Sequence, residues 1–219
     1  MRNPPEISWL ESAYLPAKEV TENDRLLLVL HGLGDSLEGF RFLPEMLRIP
    51  GLNYLLVNAP DSYFTGFSWF DIYGGDRNRG IIRSRDLLFR TLEDLEAQGW
   101  NPAHVGVLGF SQGCLMALDL ACRYPKTLGA VVGISGFVGM LNEYPEKLSP
   151  VARNQKILVT HGTADPMLAL TETQTQITAL KGMGLGIDWR VYEKEHTIDP
   201  RKEVAHIREF LVRALMKGQ

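Results

Sequence analysis

Short aliphatic runs that alternate with longer segments of helical periodicity point to an α/β architecture, a mostly parallel central sheet with helices on both faces. The runs Leu26–Leu30, Tyr54–Val57, Val105–Leu108, Ala130–Ile134 and Ile157–Val159 are rich in Val, Ile and Leu, and each is too short for a helix. Strands covered on both sides read this way. The length of 219 residues agrees, because an α/β chain of that size can bury its own core. No linker, repeat or low-complexity tract divides it, so a single domain over residues 1–219 is expected.

Along the chain, Ile7–Tyr14 is expected to add an antiparallel edge strand before Leu26–Leu30. The stretch Ser62–Arg85 holds Gly66, Gly74, Gly75 and Gly80 among aromatic and charged residues. It is expected to be a long irregular loop, and such connections usually serve a function. Leu87, Leu88, Thr91, Leu92 and Leu95 recur at helical spacing, as do Leu115, Met116, Leu118, Ala121 and Cys122, so each set marks a helix with one apolar face. A second loop is expected over Val138–Arg153, followed by strands at Lys156–Thr160 and Ile187–Tyr192. Pro200 suits the first turn of a last helix, whose stripe is Val204, Ile207, Phe210, Leu211, Ala214 and Leu215.

Composition narrows the function. Hydrophobic residues make up 45% and charged residues 22%, which excludes a disordered or collagen-like chain. With 23 Lys and Arg against 26 Asp and Glu the net charge is −3, so no long-range field favours nucleic acid or an anionic membrane. No apolar run exceeds Leu26–Leu30, far short of the roughly 20 residues that span a bilayer. The N-terminus shows no apolar run with a small-residue cleavage site, and a cytoplasmic location is expected. Cys114 and Cys122 lie on one expected helix, about 12 Å apart along its axis, too far for a disulfide. Neither belongs to a Cys/His cluster with zinc-ligand spacing, so no metal and no organic cofactor is expected.

The chemistry centres on Gly109-Phe110-Ser111-Gln112-Gly113, which follows one expected strand and opens one expected helix. In that setting Gly-x-Ser-x-Gly is a nucleophile elbow, although a glycine-flanked serine can also be an ordinary cap. A serine hydroxyl needs a base, and on this kind of sheet acid and histidine follow the serine in the order Ser, Asp, His. His161 precedes the best acid and His206 lies on the flank of the last helix, which leaves His196 in a turn after Ile187–Tyr192. Asp165, before Pro166, is the candidate acid; helix capping is its ordinary alternative. Asp188 inside a strand and Asp199 past the histidine fit the order poorly. Main-chain N–H groups of Gln112 and Leu33 are the candidate donors to the oxygen that becomes negative during acyl transfer.

These residues resemble the carboxylesterase and phospholipase branch of the α/β-hydrolases, which includes acyl-protein thioesterases and lysophospholipases. The likeness runs from about Leu26 to Leu215. It rests on His31-Gly32-Leu33-Gly34-Asp35, Ser68-Trp69-Phe70-Asp71, Gly109–Gly113, Ile134-Ser135-Gly136, His161-Gly162 and Asp165-Pro166. It implies an α/β-hydrolase fold and a serine hydrolase of carboxylic esters or thioesters with short-to-medium acyl chains. Ser111, Asp165 and His196 fall at the family's catalytic positions, and Leu33 and Gln112 at its oxyanion positions. The expected partner is a small-molecule acyl ester or thioester, with a lipid or an acylated protein as the lysophospholipase and thioesterase variants. Trp69, Phe70, Met167 and Leu33 are candidates to line an acyl channel, with core packing as the alternative for the aromatic and Met side chains.

Three departures from the family pattern stand out. Cys114 replaces a usual glycine; Glu193-Lys194-Glu195 replaces a small stretch before the histidine; Met167-Leu168-Ala169 follows Asp165-Pro166 in place of Val and Pro. Charges at 193–195 are expected to narrow the substrate range. Arg77, Arg79, Arg83 and Arg85 read as a solvated face, with a phosphate contact as the alternative. A non-catalytic binding protein on the same fold is the competing functional class.

Overall fold

The computed structural model describes residues 3–21, 24–74 and 76–217, so Gly75 of the expected loop lies outside them. The strands are β1 (Ser12–Leu15), β2 (Arg25–Leu30), β3 (Leu52–Val57), β4 (Asp61–Tyr63), β5 (Gly66–Ser68), β6 (Val105–Phe110), β7 (Ala130–Ile134), β8 (Ile157–Gly162) and β9 (Ile187–Tyr192). The helices are α1 (Leu43–Leu47), α2 (Arg77–Ala97), α3 (Gln112–Arg123), α4 (Tyr144–Lys147), α5 (Leu170–Gly182) and α6 (Lys202–Leu211), the last running on into a π-helical turn, Val212–Met216.

Seven strands form one sheet in the order β1-β3-β2-β6-β7-β8-β9. All pairs are parallel except β1 with β3. Both faces of the sheet are buried, as the side-chain period of β2 shows. In β2, Leu26, Leu28 and Leu30 join the core beneath α2, α3 and α5, while Leu27 and Val29 join the core beneath α1 and α6. Two buried faces require an uninterrupted aliphatic strand, and β2 is buried at every position. This is the α/β-hydrolase fold with helices on both sides of a mostly parallel sheet.

The edge strand is present but later and shorter than expected, Ser12–Leu15 pairing with Tyr54–Val57. The expected loop Ser62–Arg85 is corrected more substantially. Its first part is a two-stranded hairpin of β4 and β5, with Phe64 at the tip 91% exposed. Its second part is already α2, capped where the Asp76 carboxylate accepts from the Arg79 N–H at 3.0 Å. The four arginines therefore stand on a helix. Arg83 pairs with Asp61, and Arg85 turns inward toward the buried Asp119. At position 80 only glycine fits, since a Cβ there would sit 2.8 Å from Cβ of Phe70. The second expected loop, Val138–Arg153, contains the short helix α4 and two 3-10 turns.

Candidate active site

β6 ends and α3 begins across Ser111, which has φ 54° and ψ −114°. A left-handed serine is strained, and it is held because everything around it is packed. A Cβ on Gly109 would lie 2.0 Å from the carbonyl oxygen of Gly113, and one on Gly113 would lie 2.2 Å from that of Leu30. Both flanking glycines are thus steric requirements of the turn. Cys114 is accommodated because Gly133 and Gly136 face it; a Cβ on either would come within 2.6 Å of its side chain. Burial pushes the Cys114 thiol up to about 12, so it stays a neutral packing group.

The three residues expected to converge do so. His196 Nε2 lies 3.0 Å from Ser111 Oγ, and His196 Nδ1 lies 2.8 Å from Asp165 Oδ2. The other carboxylate oxygen of Asp165 accepts the main-chain N–H groups of Met167 and Leu168 at 2.9 and 3.0 Å. Burial would raise the Asp165 carboxyl, but the hydrogen bonds from His196, Leu168 and Met167 outweigh it and hold the group below the usual carboxylate range. An ionised acceptor at Nδ1 requires the proton there and leaves Nε2 as the acceptor facing Ser111. The Phe110 ring packs 5.0 Å from the imidazole and covers one side of it.

The other candidates have structural roles. His161 is buried and its Nε2 donates to the carbonyl of Leu168 at 3.0 Å, bracing the Asp165 loop from below. Burial keeps its imidazole below the usual value. His206 Nδ1 meets the Tyr192 hydroxyl at 2.7 Å on the flank of α6. Asp188 pairs with Arg190, and Asp199 accepts the N–H groups of Arg201, Lys202 and Glu203 at the start of α6.

The loop His31–Gly34 is tied down from both ends. His31 Nε2 accepts the Ala59 N–H at 3.0 Å, so its Nδ1 carries the proton donated to the Gly32 carbonyl at 2.6 Å. Burial lowers the His31 imidazole despite that bond and the nearby Asp35, which agrees with a neutral ring. Gly32 approaches the nucleophile so closely that a Cβ there would lie 3.3 Å from Cβ of Ser111. Leu33 sits between this contact and Gly34, whose N–H donates to the Phe67 carbonyl at 2.9 Å. Gln112 is the first residue of α3, where an N–H has no carbonyl of its own helix to meet.

Two expectations about the channel wall need correction. Trp69 and Phe70 have no exposed surface, so their rings are core and meet solvent nowhere. Trp69 Nε1 donates to the His31 carbonyl at 2.9 Å, so this aromatic supports the His31–Gly34 loop from behind. Met167, beside Asp165, is 72% exposed. Glu193 and Glu195 are exposed, but Lys194 is buried and points away from solvent.

Lys194 is the residue that sequence reasoning missed. Its ammonium donates to Ser135 Oγ at 2.9 Å and to the Thr197 carbonyl at 2.6 Å, and pairs with Glu203 at 2.8 Å. It thereby fastens the turn on both sides of His196 to the end of β7 and to α6. Burial pulls its ammonium below the usual lysine value, with Glu203 opposing that shift. Lys194→Met leaves Glu203, which has no exposed surface, as an unpaired buried charge, and is expected to cost about 3–5 kcal/mol in urea unfolding. Lys194→Met combined with Glu203→Gln is expected to recover a large part of that loss; no recovery would mean the cost is not the stranded charge.

Among the described residues no three His, Cys, Asp or Glu side chains converge to hold a metal ion, and no helix is long and apolar enough to cross a membrane.

Comparison with known proteins gives the family of the chain. The family model described as phospholipase/carboxylesterase matches residues 16–215. An acyl-protein thioesterase 1 of Schizosaccharomyces pombe is 34% identical over 154 residues, which cover 65% of this chain and 69% of that protein. A protein of Oryza sativa named a probable inactive carboxylesterase is 27% identical, with 82% of this chain and 80% of that protein covered. Among solved structures, esterase PE8 superposes with a TM-score of 0.82 at 27% identity, covering 94% of this chain and 99% of that one. The chain belongs to the phospholipase/carboxylesterase family of the α/β-hydrolases, the serine-dependent ester hydrolases.

Proposed function

We propose that the protein hydrolyses carboxylic esters or thioesters of short-to-medium acyl chains through an acyl-enzyme on Ser111. The observation that carries this reading is the unbroken hydrogen-bonded line from Ser111 Oγ through His196 to an ionised Asp165. Ser111 attacks the carbonyl carbon while His196 Nε2 takes its proton. The main-chain N–H groups of Leu33 and Gln112 receive the oxyanion, and the dipole of α3 adds to the potential there. His196 then passes the proton to the leaving alcohol or thiol, and in the second half-reaction it activates water to release the acid. An acyl-protein thioesterase or a lysophospholipase would use the same atoms. Buried free thiols at Cys114 and Cys122 favour a reducing compartment, and we assign the enzyme to the cytoplasm.

The competing reading, a binding protein that kept the fold, gains some support from a relative named as probably inactive. A fluorophosphonate probe separates the two because it reacts with an activated serine. Covalent labelling confined to Ser111, located by peptide mass spectrometry, is expected. Folded protein that takes no label would favour the binding reading. Rates on p-nitrophenyl esters of increasing chain length, on a lysophospholipid and on a palmitoylated peptide then place the acyl preference.

A further inference from the structure

Beside His196 the surface opens into a cleft of about 310 Å³. Its apolar wall is Phe40, Phe42, Met46, Phe110 and Ile198. The aromatic rings follow one another toward the imidazole: Phe42 to Phe40 at 5.9 Å, Phe40 to Phe110 at 6.3 Å, and Phe110 to His196 at 5.0 Å. Asp35 contributes the one carboxylate, and among the described residues that line the cleft there is no lysine or arginine.

The position of the cleft matters because of proton transfer. In the tetrahedral intermediate the oxyanion lies toward Leu33 and Gln112, and the leaving atom must come within hydrogen-bond reach of the group that protonates it, His196 Nε2. The substituent on that atom therefore lies close to the imidazole, and the cleft is an apolar surface that borders the same imidazole. We propose that this cleft is the leaving-group subsite, and that it selects uncharged alcohols or thiols bearing an apolar or aromatic group over anionic ones. The proposal rests on the assignment of Ser111 and His196 made above. In the acylation step Ser111 Oγ bonds to the carbonyl carbon and its proton passes to Nε2. As the intermediate collapses, the C–O or C–S bond to the leaving group breaks. The same proton moves from Nε2 to the leaving oxygen or sulfur, and a neutral alcohol or thiol departs through the cleft. A carboxylate or phosphate on that group would meet Asp35 without a compensating cation.

Ethyl, benzyl and 4-carboxybenzyl acetates test this, because all three form the same acetyl-enzyme and differ in kcat/KM only through acylation. The benzyl ester is expected to exceed the ethyl ester by about tenfold in kcat/KM, the usual worth of a filled apolar pocket, and to exceed the 4-carboxybenzyl ester as well. Phe42→Ala and Met46→Ala are each expected to reduce the benzyl-to-ethyl ratio while the acyl-chain profile on p-nitrophenyl esters keeps its shape. Asp35→Asn is expected to narrow the gap between benzyl and 4-carboxybenzyl. Phe42 is 40% exposed, so its truncation leaves the core intact. A changed acyl-chain profile with an unchanged benzyl-to-ethyl ratio would show that the cleft holds the acyl part and would overturn the proposal. Unchanged values of both would overturn it too, while acetyl-enzyme found on Ser111 kept the catalytic assignment standing. No acetyl-enzyme on Ser111 in the wild-type protein would overturn the two together.

Discussion

Ser111→Ala is expected to lower kcat on any ester substrate by on the order of a million-fold, the loss seen when one member of a triad that acts as a unit is removed. The side-chain oxygen is the only atom deleted. Alanine keeps a Cβ, so the left-handed backbone at this position is neither relieved nor worsened, and the hydroxyl's recorded hydrogen bond is the one to His196. Thermal unfolding should therefore change little while turnover all but vanishes. Residual hydrolysis would reflect the oxyanion donors and substrate positioning, which survive the substitution. A purified variant that kept most of the wild-type rate would show that another residue is the nucleophile.

Asp165→Asn is expected to lower kcat by about ten-thousand-fold, through the tautomer of His196 and not through its position. An asparagine can still accept the N–H groups of Met167 and Leu168, so the loop keeps its shape. Its amide nitrogen, turned toward His196 Nδ1, requires that nitrogen to be unprotonated and moves the imidazole proton to Nε2. That nitrogen can then accept nothing from Ser111. The carboxyl is held below its usual value, so the stability it lends is complete above the ordinary aspartate value of about 3.9. That stability is lost as the pH falls through the lowered folded value. Urea titrations across the acid range should show this loss in the wild type and a weaker one in the variant. An Asp165→Asn enzyme within tenfold of wild type would remove Asp165 from the catalytic machinery.

The triad was legible in the sequence because its order along the chain is imposed by the sheet: each member follows a strand whose aliphatic run is itself conspicuous, β6 before Ser111, β8 before Asp165 and β9 before His196. The start of α2 was not legible. Its first turn carries Arg77, Arg79 and Gly80, and the first buried residue, Ile81, comes only after them. No apolar stripe exists there to announce a helix. Trp69 and Phe70 were misplaced because a motif aromatic near a site reads equally well as wall or as core, and only the packing behind the His31–Gly34 loop decides it. The structural role of Lys194 was not legible either. The charges at 193–195 were expected only to narrow the substrate range, and the buried partner of Lys194, Glu203, stands nine residues further on, on another element.

Gln112 gives its side chain to a different task from its main chain. The carboxamide accepts the Trp69 N–H at 3.0 Å and donates to the Phe70 carbonyl at 2.9 Å, joining the start of α3 to the segment after β5. On the proposed mechanism, charge stabilisation and scaffold alignment share one amino acid, and an exchange at this position would disturb the two at once. Any shift of the 69–70 segment would therefore carry with it the amide that the proposed mechanism assigns to the reacting oxygen.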